Sequence, residues 1–341
     1  LGWYPQIKKA ARMHVGYREL PSERRFGVEL EVTNTCSKDV IGMSVSGYEA
    51  LYGSQKDVVV TKGKGRGGWA ETRRNDFWHV KYDSTCGPLG KHIDNGWEIA
   101  SYIGCGDKDV KAISGIADWL ANAGLKTNRN CGLHIHADAS DLTNSQVGSL
   151  MARWIKIESY LFSICNKRRS KSIYCKPLKE KYREMVGFGY EYDPNNTSRF
   201  WSIMSPRNFN THNNDEKKCA LNFVGYASGQ IMKNYDKSTI ELRLPECILE
   251  TDHVLNWVRL FLNFIDSCKD YPEPGPLDLS ETTDIKDVLR CIGLQEKEDF
   301  WILDQNLLET KKWFLKKLAR NKETSVVAFE ANNLLAFISQ I

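Results

Sequence analysis

The chain of 341 residues predicts an α+β fold, a single sheet with helices packed on one face and charged side chains on the other. Two observations predict it. Five short segments alternate apolar and polar residues with period two, and four longer ones repeat apolar residues with helical period. These two patterns describe surfaces that need each other to be buried.

Composition bounds the reading. Apolar residues make up 41% and charged residues 26%, an ordinary globular balance, and ten Trp favour a sizeable core. No apolar run approaches the roughly 18 residues of a membrane span. The opening stretch, LGWYPQIKKAARMH, lacks the apolar region of a secretory signal, and the start at Leu1 rather than Met leaves room for residues upstream. Ten scattered cysteines without a C-x-x-C pair exclude a disulfide scaffold and a zinc ribbon. Reduced, buried thiols in a cytoplasmic protein are the expectation. The net charge of +4 does not call for nucleic acid. Two basic runs, Lys62 to Arg74 and Lys167 to Arg183, read first as solvated surface.

Along the chain, residues 1–24 read as a polar lead-in and a main unit runs over 25–295. Residues 53–75 are rich in Gly and Lys and read as a loop or hairpin; they lack the G-K-[ST] ending of a phosphate-binding loop. Helices are expected over Val110 to Leu125, with Gly124 near the stop, Asn144 to Cys165, Asp252 to Cys268, and Ile285 to Ile292 before Gly293. The prolines after Tyr271 mark a linker, and residues 296–341 read as a helical extension packed on the unit before it.

The strand-like segments carry the chemistry. In RFGVELEV, Phe26, Val28, Leu30 and Val32 share one face, and Glu29 and Glu31 the other. In FWHVKYDS, Trp78, Val80 and Tyr82 oppose His79, Lys81 and Asp83. Glu98 opposes Trp97 and Ile99; His134, His136 and Asp138 oppose Leu133, Ile135 and Ala137; Glu241 and Arg243 oppose Ile240, Leu242 and Leu244. Taken one strand at a time, a polar side facing solvent explains each pattern. Together they put four glutamates and two histidines on one face. Carboxylates resist sharing a site unless cations neutralise them, and two divalent ions would balance four. Oxygen-rich sites with an occasional imidazole suit magnesium or manganese, which often hold nucleotide phosphates. Arg243 points to the same face and could grip a phosphate or carboxylate with two parallel bonds.

The ordered set Phe-Gly-Val-Glu-Leu-Glu, Val-Lys-Tyr-Asp-Ser, Glu-Ile-Ala-Ser, Cys-Gly-Leu-His-Ile-His, Leu-Asn and Thr-Ile-Glu-Leu-Arg, followed by a helix with Asp252, Val254 and Trp257, resembles the amidoligases over about residues 25 to 295. These are similar to the catalytic domain of glutamine synthetase and to glutamate–cysteine ligases. The resemblance implies a curved, mainly antiparallel sheet with the active site on the face opposite the helices. It implies metal ligation by Glu29, Glu31, Glu98, His134 and Glu241, a nucleotide contact near His136, and a phosphate- or substrate-binding role for Arg243. Two or more Mg2+ or Mn2+ ions and ATP are the implied cofactors, and bacteria or their viruses the implied source.

Three departures qualify the match. Thr239 stands where glutamine synthetase has a further arginine, so Arg199, Arg207 and Lys218 become candidates for phosphate contacts. The Glu98 motif continues Ile-Ala-Ser-Tyr where relatives often have Leu-Val-Ser-Pro. The chain before Glu29 is too short for the N-terminal domain that completes the glutamine synthetase site between subunits, so its dodecamer is not assumed. The implied reaction activates a carboxylate with ATP as an acyl phosphate, which an amine then attacks; Asp83 is the candidate base, against the reading of a turn aspartate ending a strand. The substrate is open among a small metabolite, a peptide or protein side chain, and a modified nucleobase; the basic run 167–183, interleaved with Tyr174 and Tyr182, could hold a nucleic acid or protein substrate. Two rivals remain: a metal-dependent hydrolase built on His134 and His136, and an inactive binding module on the same fold.

Overall fold

The structure is a computed structural model that describes residues 24–33, 38–51, 56–60, 77–86, 96–189, 191–204, 218–231, 238–269, 280–294, 305–321 and 325–338. The lead-in before residue 24, most of the Gly- and Lys-rich stretch, Arg207, His212, the proline linker and the boundary at 295 lie outside the described residues.

Among the described residues, seven strands form one sheet: β1 (Phe26–Thr33), β2 (Val58–Val60), β3 (Trp78–Tyr82), β4 (Gly96–Ala100), β5 (Leu133–Asp138), β6 (Leu221–Asn222) and β7 (Thr239–Leu242), in the order β2-β3-β4-β1-β5-β7-β6. All pairings are antiparallel except β2 with β3, as the mainly antiparallel expectation requires. The sequence reading of residues 53–75 is a loop or hairpin; Val58 to Val60, a β-branched tripeptide, forms a strand that pairs with β3 in parallel, which a hairpin does not do.

Helices α1 (Lys38–Leu51), α2 (Gly106–Asn122), α3 (Asn144–Ser163), α4 (Leu178–Gly187), α5 (Ser198–Met204), α6 (Val224–Ile231), α7 (Thr251–Ser267), α8 (Ile285–Cys291), α9 (Gln305–Ala319) and α10 (Ser325–Ile338), with two 3-10 turns at Ser84–Cys86 and Arg169–Lys171, complete the described elements. The four helices expected from periodicity are α2, α3, α7 and α8. A capping box starts α3: the Thr143 side chain accepts from Gln146 N, and the Gln146 side chain accepts from Thr143 N. Gly124, with φ +84, ends the α2 turn in a conformation that side chains avoid. Helix α4 begins inside the second basic run and extends past it, and it buries Leu178, Tyr182 and Met185 at helical spacing.

The core is continuous from the apolar sheet face into the helices. It joins Val28, Leu30, Ile99, Leu133, Ile135 and Leu242 to Ile113, Met151, Trp257 and Phe261. Helix α7 contacts β5 and α2, while α1 contacts β3. The C-terminal helices join through a ring contact of Trp257 with Trp313 at 5.5 Å and a bond from Thr310 Oγ1 to Asn256 Oδ1 at 2.9 Å. No helix among the described residues is long and apolar enough to cross a membrane.

Candidate active site

The candidate site is the second face of the four central strands, β4, β1, β5 and β7. Strand pairing brings its side chains side by side: Glu31 lies opposite Glu98, Glu29 opposite His134, and His136 opposite Glu241. Residues paired across a ladder point to the same face, so the period-two pattern and the register together converge these groups.

The two histidines sit among the carboxylates. His134 Nδ1 is 3.3 Å from Glu29 Oε2 and 3.8 Å from Glu241 Oε1, and its Nε2 is 3.7 Å from Glu31 Oε1. His136 Nε2 is 3.3 Å from Glu29 Oε1 and 3.8 Å from Glu241 Oε1. Glu29, His136 and Glu241 each offer a ligand atom, all within 4.8 Å of one another. A second such trio is Glu31, Asp83 and Cys86. Carboxylate and imidazole donors fit a hard divalent cation such as magnesium or manganese.

Burial makes this face expensive. Glu31, Glu98, His134 and Glu241 are all buried, so the reading of polar side chains facing solvent fails at these positions. The protein's own cations compensate in part. Lys81 Nζ lies 2.5 Å from Glu98 Oε1, and Arg243 Nη1 donates to Glu241 Oε1. Burial opposes ionisation of Glu29, but the His136 charge, bonds from His134 and His136, and Lys81 hold its carboxyl well below the usual range. Glu241 is likewise held low against burial, by His136 and Arg243 first. Glu98 goes the other way: burial, then the neighbouring Glu29 charge, push it up to about 8 against the pull of Lys81.

Backbone and neutral groups hold the carboxylates in place. Gly132 N donates to Glu31 Oε2 at 2.5 Å. A Cβ at position 132 would sit 2.7 Å from His134 Nε2, so the glycine before the H-x-H strand is a steric requirement. Asn222 Nδ2 donates to Glu241 Oε2 at 2.6 Å while its Oδ1 accepts from Val224 N at 2.9 Å. Asn222 was visible in the Leu-Asn motif, but its role needed the register of β6 on β7. Lys81 was visible on the polar face of its strand, without a partner to name.

Asp83 combines its two sequence readings. Its Oδ1 accepts from Thr85 N and Thr85 Oγ1, both at 2.7 Å, which makes it a turn aspartate. The same turn carries it to Glu31 and Cys86. Lys218 precedes Ala220, whose carbonyl accepts from Arg243 N at 2.8 Å, and its Nζ lies 5.9 Å from the Tyr174 ring centroid. Arg199 is exposed on α5, whereas the polar contacts that tie the carboxylates together run through Lys81, His134, His136 and Arg243.

A family model described as "Putative amidoligase enzyme" matches residues 22–265, more than half of the chain. No curated protein matches. Among solved structures, a cryo-EM structure of Plasmodium falciparum glutamine synthetase is similar over 98% of this chain and 74% of that chain, with 14% identity and a TM-score of 0.33.

Proposed function

The chain belongs to the amidoligase family, and on that premise we propose that it is an ATP-dependent carboxylate–amine ligase that forms an amide through an acyl phosphate. The observation that carries this reading is the convergence of four glutamates and two histidines on one sheet face, with Glu31, Glu98 and Glu241 buried. Buried carboxylates at this density lower stability unless cations offset them, and Lys81 and Arg243 reach only Glu98 and Glu241 in direct ion pairs.

Glu29, His134 and Glu241 would hold one divalent cation, with His136 beside them as the nucleotide contact, and Glu31 with Glu98 would hold a second. ATP with Mg2+ or Mn2+ would supply the transferable phosphoryl group and neutralise its charge. Arg243, just beyond β7, would meet a phosphate or the substrate carboxylate; Arg199, Arg207 and Lys218 are the further candidates for phosphate contacts. The carboxylate substrate would attack the γ-phosphoryl group and release ADP to give an acyl phosphate, and the amine, having given up a proton, would then displace inorganic phosphate to leave the amide. Asp83 is the proposed acceptor of that proton. We assign the reaction to residues 25–295 and treat 296–341 as an extension. The described cysteines are all free thiols, eight of nine buried, which supports a cytoplasmic setting.

The test is thermal unfolding with Mg2+ or Mn2+ and ATP. A ligand at a hundredfold its dissociation constant stabilises the folded state by about 2.7 kcal/mol. A clear rise in Tm is expected, and Glu29→Ala or Glu241→Ala should abolish it. No rise with either metal at millimolar ATP would turn the assignment toward the hydrolase.

A further inference from the structure

Arg169 lies in the basic run that reads as solvated surface, yet it is 4% exposed. It opens a single 3-10 turn, Arg169–Lys171. Its Nε donates to the Leu244 carbonyl at 2.9 Å, and its Nη2 donates to the Arg243 carbonyl. Both acceptors belong to the segment just beyond β7, whose last residue is Leu242. Pro245 follows and has no N–H to continue a ladder. On the other side, Arg243 N donates to the Ala220 carbonyl at 2.8 Å.

The peptide groups flanking Arg243 are therefore held from both directions. The Ala220 bond fixes its N–H, and the Arg169 fork fixes its carbonyl and the next one. A residue's φ and ψ set the direction in which its side chain leaves the backbone. Holding both groups thus aims the Arg243 side chain into the site, where it meets Glu241. The arrangement is costly as a structural device alone. A guanidinium is buried here on two neutral carbonyls, whereas a carboxylate partner would return more of its lost hydration. A planar fork presents two donors to successive carbonyls in fixed geometry, which a flexible lysine ammonium reproduces only in part.

We propose that Arg169 is a positioning residue that sets the aim of Arg243. The functional part of this statement rests on the ligase reading; the geometric part does not. Arg169→Met keeps most of the side-chain bulk and removes the fork, and Arg169→Lys keeps the charge with a single donor head. Two measurements read them. The first is phenylglyoxal labelling of Arg243, followed by peptide mass spectrometry with exposed Arg168 as internal reference. It is expected to change several-fold in Arg169→Met and to recover partly in Arg169→Lys. The second is the MgATP affinity from Tm shifts. It is expected to fall about tenfold in Arg169→Met, the worth of one lost charge-assisted bond. It should fall no further when Arg169→Met is added to Arg243→Met, because residue 169 acts through residue 243. Unchanged Arg243 labelling in folded Arg169→Met overturns the proposal, as does full additivity of the two substitutions. If Arg169→Met does not fold, the same two measurements on Arg169→Lys decide. If the wild-type chain does not bind MgATP, the ligase reading fails and labelling alone decides the positioning of Arg243.

Discussion

Along β1, Val28, Leu30 and Val32 are at most 1% exposed, and Glu31, between the last two, is only 5% exposed. At Glu31 the polar face is thus almost as hidden as the apolar one, although Glu29 on the same face is only partly buried, and the two faces are hidden by different physics. The apolar side is buried because water is expelled from it, and each side chain adds to stability on its own. The carboxylate side is hidden by neighbouring strands and paired charges, and each charge there would be costly alone. Two histidine environments repeat the contrast. His136, partly buried among Glu241 and Glu29, is raised to about 9 although desolvation opposes it. His253, buried at the start of α7, is lowered to about 4, chiefly by burial. Near neutral exposure tells little here; the chemistry of the neighbours decides what a residue does.

Substitutions can break this comparison or sharpen it. The largest effect is expected on the apolar side. Trp257→Ala empties a fully buried site against Trp313 and should lower the unfolding free energy by about 3–5 kcal/mol in urea titrations. A cost below about 1 kcal/mol would mean that α7 and α9 are not packed as described.

Next comes pH. His253 Nε2 sits 3.0 Å from the Glu246 carbonyl, so Nε2 carries the proton and neutral imidazole is the fitting form. A histidine whose folded value lies below its unfolded one binds the proton more weakly when folded. Its stabilising contribution is complete above about pH 6.5 and is lost as pH falls toward about 4, by at most about 3 kcal/mol. His253→Gln keeps a donor for the carbonyl and removes the titration. Stability of the two proteins should converge on acidification over that window; parallel curves would show that His253 is not held neutral.

The smallest stability effect is expected on the carboxylate side. Glu98 is pushed up to about 8 by burial and by Glu29, so an amide is close to its preferred neutral state. Glu98→Gln should change the unfolding free energy by less than about 1 kcal/mol while weakening the response to Mg2+ or Mn2+. A loss like that of Trp257→Ala would show that Glu98 serves packing rather than a ligand.

Much of this was legible in the sequence. The helices with clean apolar periodicity, α2, α3, α7 and α8, start and stop within a few residues of the reading. Helix α1 escaped it although Ile41, Val45 and Tyr48 are spaced for a helix, because Gly42 and Gly47 interrupt the pattern and weaken helix propensity. Helix α4 was hidden by lysines and arginines whose charge masks Leu178, Tyr182 and Met185. Of the basic run, Arg168 and Lys171 are exposed as expected, while Arg169 is not.

What the sequence determined by itself is which residues share a face. Alternation along a strand is a local property of the extended backbone, so Glu29 and Glu31, or His134 and His136, must point alike wherever the strand goes. What only the tertiary structure decided is who meets whom. The pairing of Glu31 with Glu98, of His136 with Glu241, and of the Arg169 fork with the carbonyl of Arg243 depends on strand order, register and the return of a distant segment. Those follow from packing the whole apolar face at once, a collective balance that no short stretch of residues encodes.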